Sequence, residues 1–495
     1  MLVQTLCFAL LASLVTAGRP SSCNATVNFH KHLAPLLSKD AFVVTPDDPR
    51  FSEYTHQNLK SNPPTYSVVV VVDTEDDVST AVKFANRHNI PFAAKVSGHG
   101  TWSGLGEMRG GMNIWLRNLN SVNISEDGQH VTVGGGTFVT EVVEALWEAG
   151  KQTATALGQC IGITGSGIGG GLGPLNGIYG LGLDQFLSFH VVLANGSFVT
   201  ASQTVNPDLF WALRGAGHNF GIITSAKLRI YDRADSSTWS YQQFYFTEDK
   251  LEAVFETLNT KLDTQPGHLT HDVSIYQIGM DSAIIDLRIF SAAYTPAELD
   301  LYTAPFHALG PIDTTSVETD YLGLISEMGY APPEEGCTPP HGSFGGVFGV
   351  GVTRHNPAAM RNMYDLFNNV TLSVPELGDS YVFIEGYGTE AVRKVDVMST
   401  AFPGRGIRAW PNVVLAYKGD AKDDTLEGIV KEQGEKMREA MLEGQERQTT
   451  YVNYAMEQES LQALYGYEEW RLEKLRKLKR EVDPHNRFGF FAPIH

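Results

Sequence analysis

The hydrophobic and polar positions of the first hundred residues change period several times, and each change marks a predicted element. Residues 66–72 form a β-branched run typical of a buried strand. Residues 73–77 supply capping side chains for an amphipathic helix over about 78–88, and 89–96 returns as a strand. The pattern predicts a βαβ-like unit that ends in a glycine loop at 97–100.

Helix and strand patterns continue to about residue 233, interrupted by the glycine-richest segment of the chain, 158–182. A continuous apolar run predicts a strand at 186–194. The Asn-Gly pair at 195–196 is a strong signal for a two-residue hairpin after it. A further strand is predicted at 222–231.

From about 234 to 448 the glycine clusters become fewer, and strand-like stretches alternate with helical ones. The strand-like stretches include 273–278, 283–290 and 381–384. This mixture predicts a second α+β domain. A chain of 495 residues is long enough for two domains, or for one domain interrupted by another.

The composition is that of a globular protein, with 42% hydrophobic residues and no low-complexity run. The formal net charge of -19 comes from 56 acidic and 37 basic side chains. This charge disfavours nucleic acid and anionic membranes as partners. The apolar run at residues 1–17 is shorter than a membrane-spanning helix, and no other segment approaches the roughly 20 apolar residues that a span requires.

Residues 1–17 form an apolar run that ends in small residues, which is typical of a cleaved secretory signal. The interpretation predicts a protein of the secretory pathway or the extracellular space. N-glycosylation sequons fit this route. They lie at Asn24, Asn123, Asn195 and Asn369.

Cysteine counting adds a second observation. Cys7 would leave with the signal, so Cys23, Cys160 and Cys337 remain, an odd number for an oxidising compartment. A disulfide between Cys23 and Cys337, with Cys160 reserved for chemistry, would balance the count. The sequence does not show whether those two residues approach within bonding distance, so the pairing stays open.

Gly165, Gly167 and Gly170 satisfy the letter pattern of a dinucleotide-binding fingerprint. That fingerprint needs a strand before it and a helix that opens inside it, whereas the glycines that follow, from Gly171 onward, are expected to break such a helix. A Rossmann dehydrogenase is therefore disfavoured. Many backbone N–H groups in a conformationally free segment suit a pyrophosphate and a flat ring system instead.

Several motifs resemble the berberine-bridge-enzyme-like branch of the vanillyl-alcohol-oxidase flavoprotein family. Residues 95–99, Lys-Val-Ser-Gly-His, are similar to its basic residue, small residues and histidine. Residues 158–173 are similar to its cysteine and glycine run. Residues 451–454 and 483–488 resemble its C-terminal signature. The resemblance extends from about residue 40 to the last residue.

The resemblance implies an α+β fold, in which a bipartite PCMH-type FAD-binding domain is interrupted by an α+β substrate domain with an antiparallel sheet. After the signal at 1–17, the FAD-binding domain would span 40–233. The substrate-binding domain would span 234–448, and 449–495 would return to the FAD-binding domain.

In that family the histidine bonds the flavin 8α-methyl carbon and the cysteine bonds C6, which implies these roles for His99 and Cys160. Taken alone, a cysteine is more simply a buried small hydrophobe and a histidine a satisfied loop residue. Together, each beside glycines, they predict FAD with two covalent bonds. Further cofactor contacts are expected from Ser97, Gly98, Gly100, Gly158, Gly165, Gly167, Gly170, Gly171, Ile223 and Asn453.

Removal of a hydride from an alcohol requires a base for the hydroxyl proton, and the candidates are Tyr451, Tyr454 and Glu385. At strand spacing, Tyr451 and Asn453 share a face and Tyr454 points the opposite way. Only one of the two tyrosines is therefore expected to reach the substrate.

Three further positions are weaker candidates. Gly404 stands where the family frequently has a histidine, so no role is transferred to it. His218 and Asn219 lie in a glycine loop and are interpreted as turn residues. No metal site is predicted.

The resulting expectation is an oxidase that passes a hydride from an alcohol, a carbohydrate or a secondary metabolite to flavin, with O2 reduced to H2O2. A cyclase that uses the flavin scaffold to shape a reactive intermediate is the alternative, with or without net oxidation. A flavin-free binding protein is a third hypothesis. The sequence does not specify the small-molecule substrate.

Overall fold

The structure is a computed structural model that describes residues 27–158, 160–234, 238–279, 281–326 and 343–495. Several sequence predictions lie outside these residues. They are the signal at 1–17, the sequon at Asn24 and the pairing of Cys23 with Cys337.

Two main sheets occupy the first half of the chain. Their strands, together with a two-stranded ribbon, are β1 (Phe42–Val44), β2 (Tyr66–Val71), β3 (Phe92–Lys95), β4 (Gly111–Trp115), β5 (Val122–Ile124), β6 (His130–Gly134), β7 (Lys151–Gln152), β8 (Phe186–Val192), β9 (Phe198–Ser202), β10 (Ile222–Arg229) and β11 (Tyr231–Asp232). The strand orders are β1-β2-β4-β3, β5-β6-β10-β8-β9 and β11-β7.

The first sheet confirms the predicted βαβ unit, because β2 and β3 both run parallel to β4, which lies between them. The second sheet is antiparallel throughout. Its β8–β9 pair forms the predicted hairpin, but the turn lies one residue before the Asn-Gly pair, because the N–H of Gly196 donates to the carbonyl of Leu193 at 2.8 Å.

The second half of the chain forms one seven-stranded antiparallel sheet. Its strands are β12 (Trp239–Phe246), β13 (Leu269–Tyr276), β14 (Ile284–Ser291), β15 (Asp313–Thr319), β16 (Phe344–Gly349), β17 (Tyr381–Gly386) and β18 (Trp410–Tyr417). Their order is β15-β12-β14-β13-β17-β18-β16. The α+β class and the antiparallel sheet of the second half agree with the resemblance.

Helices lie between the strands. They are α1 (Phe29–His32), α2 (Phe51–Thr55), α3 (Glu75–Arg87), α4 (Val139–Glu148), α5 (Ile163–Gly169), α6 (Asn176–Tyr179), α7 (Gly182–Gln185), α8 (Pro207–Ala216), α9 (Leu251–Leu262), α10 (Pro296–His307), α11 (Tyr321–Ile325), α12 (Pro357–Ser373), α13 (Asp424–Leu442), α14 (Leu461–Tyr465) and α15 (Glu469–Val482). Across the described ranges, no helix combines the length and apolarity needed to cross a bilayer.

The two faces of the seven-stranded sheet differ in character, because alternate residues of a strand point to opposite sides. On one face, Val273, Leu287 and Ile384 are fully buried in a core shared with α9, α12 and α13. Each such side chain stabilises the fold by about 1.5–3 kcal/mol. Asp272 and Glu385 point to the other face, which is polar.

Residues near the end of the chain pack onto the first half. The Asn219 amide donates to the carbonyl of Ala492 at 3.0 Å and accepts from the N–H of Ile494 at 3.0 Å. Lys479 Nζ donates to the Asn219 carbonyl at 3.0 Å. The loop residue Asn219 therefore links the first half of the chain to the last residues by hydrogen bonds.

Candidate functional site

The loop that carries His99 begins where β3 ends at Lys95. Gly98 has φ +85°, and a Cβ there would come within 2.7 Å of Lys95 Cε, so this position favours glycine. His99 Nδ1 lies 2.9 Å from Ser97 Oγ. Burial lowers the pKa of His99 to about 4, and the charges of His56 and Lys95 act in the same direction. The imidazole is therefore neutral near pH 7 and keeps a nitrogen lone pair.

The side chain of Lys95 packs against this loop at Gly98. Its side chain is 7% exposed, and Nζ donates to the carbonyls of Tyr54 and His56. Burial lowers its pKa to about 7. Nε2 of His56 lies 2.8 Å from the carbonyl oxygen of Ser97. His56, which carries no motif in the sequence, is thus part of the support for His99.

Cys160 differs from its predicted unpaired state. It is disulfide-bonded. A sulfur in a disulfide cannot at the same time hold a flavin carbon. The preceding Gly158 has φ +132°, a conformation that favours glycine.

The glycine-rich segment does form a helix, so the expectation that its glycines prevent one is wrong. Helix α5 spans Ile163–Gly169 and ends where Gly170 and Gly171 adopt φ +157° and +73°. A Cβ at Gly169 would overlap the side chain of Asn453, and one at Gly170 would lie 2.6 Å from the Tyr451 ring. Close contact with the C-terminal residues outweighs the low helix propensity of glycine here.

Other predicted cofactor positions differ in their surroundings. No atom lies within 4 Å of a Cβ placed on Gly165, so this turn of α5 faces open space. Gly167 packs against the Phe186 ring, and Gly100 against the ring of Phe491. Ile223 is buried in the core of the first half.

Residues 451–454 do not form the expected strand, because Val452–Tyr454 is a turn of 3-10 helix. The Tyr451 hydroxyl accepts hydrogen bonds from the N–H of Gly171 at 3.0 Å and from Asn453 Nδ2 at 2.8 Å. The same Asn453 amide donates to the Ser166 carbonyl of α5 at 2.9 Å.

The 3-10 turn also places both tyrosines on one side, contrary to the prediction. The rings of Tyr451 and Tyr454 are 4.9 Å apart and nearly perpendicular. Thr101, two residues after His99, donates to the carbonyl of Ala455 at 3.0 Å. The turn therefore joins the His99 loop to α5.

Glu385 lies beside this turn on the polar face of the sheet. It is 7% exposed and accepts hydrogen bonds from the hydroxyls of Tyr387 at 2.6 Å and Tyr454 at 3.0 Å. Burial raises the pKa of Glu385 to about 7, although the two phenols favour the carboxylate. The three predicted bases are thus brought together. Tyr387 joins them, and its position two residues after Glu385 was the signal that could have identified it.

Gly404 lies in a small aromatic cavity next to Tyr387, lined also by Phe402 and Trp410. A Cβ at Gly404 would come within 3.0 Å of both Phe402 and Trp410. A histidine would not fit here unless these rings moved. The adjacent Arg405 is buried and makes two bonds to Asp184, at 2.7 and 2.9 Å.

His218 lies in a 3-10 turn, as predicted, and its ring is 4.5 Å from that of Phe491 and tilted by 32° against it. Burial lowers its pKa to about 4. Among the described residues, no group of three or more His, Cys, Asp and Glu side chains is arranged to hold a metal ion.

Sequence comparisons agree with this geometry. The FAD binding domain family matches residues 66–202. FAD-linked oxidoreductase anuG from Penicillium roqueforti is 36% identical over 506 residues, which cover 98% of this chain and 97% of that protein. FAD-linked oxidoreductase OXR2 from Pyricularia oryzae is 36% identical, with 94% of this chain and 91% of that protein covered.

Solved structures share the fold over 92% of this chain. A chitooligosaccharide oxidase has a TM-score of 0.79 at 20% identity, with 97% of it covered. Wild-type BBE-like 1 from Physcomitrella patens has 0.81 at 22%, with 96% covered. Glucooligosaccharide oxidase from Acremonium strictum, which carries 6-S-cysteinyl, 8α-N1-histidyl FAD, has 0.81 at 20%, with 97% covered.

Proposed function

The chain belongs to the berberine-bridge-enzyme-like family of FAD-linked oxidoreductases, and from this we propose that it is an oxidase of alcohols, carbohydrates or secondary metabolites. The observation that carries the proposal is the position of Glu385. This buried carboxyl group and its phenol partner Tyr454 adjoin the same C-terminal turn that packs on α5 and the His99 loop.

The residues of α5 and of the His99 loop fit FAD. Helix α5 presents Gly165 to open space, and the neutral imidazole of His99 can form a bond to the 8α carbon. When bound, FAD accepts a hydride from the substrate carbon and returns the electrons to O2, which gives H2O2. His99 would hold the cofactor at 8α. Cys160 would hold the cofactor at C6 only in molecules in which Cys160 is not part of a disulfide.

Glu385 supplies the base. Its carboxylate takes the proton of the substrate hydroxyl, and the hydroxyls of Tyr387 and Tyr454 hold the carboxylate in one orientation. A base whose pKa is near 7 matches neutral working conditions, because it is ionised and still basic enough to accept a proton. Tyr451, whose pKa is raised by burial, accepts hydrogen bonds and is assigned to positioning the turn.

The cofactor proposal is tested on acid-precipitated protein. Yellow colour in the pellet, with flavin mass on peptides that contain His99 and Cys160, is the expected result. Flavin on the His99 peptide alone, with Cys160 linked to another cysteine, would limit the proposal to one covalent bond. A colourless pellet would remove both bonds.

The activity is tested by oxygen uptake with xylobiose, cellobiose, chitobiose and aromatic alcohols. We expect H2O2 in a one-to-one ratio to the oxidised product for at least one of these classes. An isomeric product without oxygen uptake would identify a cyclase instead and contradict the oxidase.

We also propose that the protein is secreted and glycosylated. The apolar segment 1–17 supports this, and Asn123, Asn195 and Asn369 are exposed. Expression of the full chain in a eukaryotic host should deliver it to the medium, with a mass that decreases after N-glycosidase treatment. Retention inside the cells at the unmodified mass would contradict both points.

A further inference from the structure

Asp272 faces Glu385 across two neighbouring strands. The register of β13 and β17 places the two residues directly opposite each other. Side chains in such a pair project to the same face, with their Cβ atoms about 4.5–5.5 Å apart. The polar face of the sheet therefore carries two carboxyl groups side by side.

The surroundings of Asp272 differ from those of Glu385. Arg288 lies directly opposite on β14, yet its Nη2 bonds Asp286 at 2.9 Å. In the described part of the chain, no side chain or backbone N–H donates a hydrogen bond to the Asp272 carboxyl group. Asp272 is half-buried, whereas Glu385 is buried.

We propose that Asp272 and Glu385 share one proton, which makes Asp272 the positioning residue that controls the ionisation of the base. Two adjacent carboxyl groups, of which Glu385 is buried and Asp272 is half-buried, ionise together only at an electrostatic cost. In the resting pair Glu385 is ionised and Asp272 holds the shared proton. When Glu385 takes the proton of the substrate hydroxyl, the half-buried Asp272 releases its own proton to water. The proton on Glu385 then passes to the Asp272 carboxylate, which restores the resting pair with one shared proton.

The charges around the pair support this assignment. Burial raises the pKa of Asp272 to about 7, Arg288 opposes the rise, and Glu385 and Asp286 add to it. Around Glu385, Tyr387 and Tyr454 donate hydrogen bonds, and its neighbour on β18 is the uncharged Trp410. No cation among the described residues is bonded to either carboxyl group of the pair.

The inference rests on the role of Glu385 proposed above, but its test requires neither substrate nor turnover. The carbonyl stretch of protonated carboxyl groups is followed by infrared titration of the flavin-bound protein. At about pH 6, ordinary carboxyl groups are ionised, whereas burial also raises the pKa of Glu435. The signal of the pair is therefore the part of the wild-type signal that D272N and E385Q remove. We compare the wild type with D272N, E385Q and, as the matched control on the same face of β13, S274A.

A shared proton predicts that each single variant titrates in one step, and that the half-point of Glu385 in D272N lies about one pH unit below the upper step of the wild type. S274A should titrate like the wild type. If Glu385 keeps its wild-type half-point in D272N, the two groups are independent and the inference is wrong.

A thermal measurement gives a second, separate test. Groups whose pKa is raised in the folded state bind more protons than in the unfolded state, so their effect is to destabilise the fold as pH rises from about 4 to about 7. At about pH 8, D272N and E385Q should each raise the melting temperature, and the double variant should gain less than the sum. Additive gains would contradict the shared proton. Failure of every substrate would overturn the oxidase without affecting this result.

Discussion

The proposed cofactor side of the site, residues 95–101, and the proposed substrate side, formed by Glu385, Tyr387 and Tyr454, both bury ionisable groups. On the cofactor side burial favours neutral bases, with the pKa of Lys95 lowered to about 7 and that of His99 to about 4. On the substrate side the same burial favours a neutral acid, with the pKa of Glu385 raised to about 7.

The difference lies in the neighbours. Lys95 donates to backbone carbonyls, which anchor it without a negative charge. Glu385 accepts two hydrogen bonds from phenol hydroxyls, which favour the ionised carboxylate in spite of burial. In the proposed mechanism, one physical cause thus supplies a nucleophilic nitrogen on one side and a base on the other. The two functions should therefore be separable by mutation.

The largest expected effect is a loss of catalytic activity in a variant that keeps its attached cofactor. E385Q removes the base but keeps its shape, so kcat/KM should fall about 10²–10⁴-fold while the flavin stays covalently attached. The exposed Glu376 provides the control E376Q, which should keep full activity. Loss of attached flavin from E385Q, or an unchanged rate, would show that the two sides are not separable.

A second prediction compares two glycines of the same helix. G169A forces a Cβ into Asn453 and should destabilise the protein by about 1–3 kcal/mol. G165A meets no protein atom and should raise stability by about 0.5–1 kcal/mol in the cofactor-free protein. Thermal melting measures both. Equal effects would contradict the placement of the C-terminal turn on α5.

G165A has a further readout that stability does not give. If the open space at Gly165 receives the cofactor, the added methyl group should lower the yield of attached flavin without lowering stability. Flavin content per protein, from the absorbance spectrum, measures this. Full flavin content in G165A would place the cofactor elsewhere.

The smallest effect concerns the pH profile of the substrate side. The base acts only when ionised, so activity should rise with pH through about 7. Y454F removes a donor to the carboxylate, so the pKa of Glu385 should rise and the acid limb should move up by about one pH unit. Y467F, at an exposed tyrosine, is the control and should leave the profile unchanged.

Local pattern was sufficient for much of the fold. The β-branched run at 66–72 is β2, and the amphipathic period at 78–88 lies within α3 except for its last residue. Such patterns work because burial of one face depends on residues close in sequence. The domain boundaries at 233 and 448 stay predictions.

The candidate site depended more on distant contacts, and this is where sequence reasoning failed. The spacing of Tyr451 and Tyr454 fits a strand or a tight turn equally well, and the contact with Gly171 accompanies the turn. The disulfide of Cys160 depends on tertiary proximity that counting cannot supply. No sequence motif identifies Asp272, and only the register of β13 and β17 places it opposite Glu385.

The bond between Gly171 and Tyr451 joins residues 280 positions apart, and Asn219 binds the backbone of Ile494 across 275 positions. During synthesis the His99 loop and α5 leave the ribosome long before their C-terminal partners exist. Protein domains begin to fold as they emerge, but α5 and the loop residue Asn219 gain these contacts only when residues 451–494 have been made. Assembly of the finished flavoprotein is consequently a late event, which follows translation of both halves of the chain.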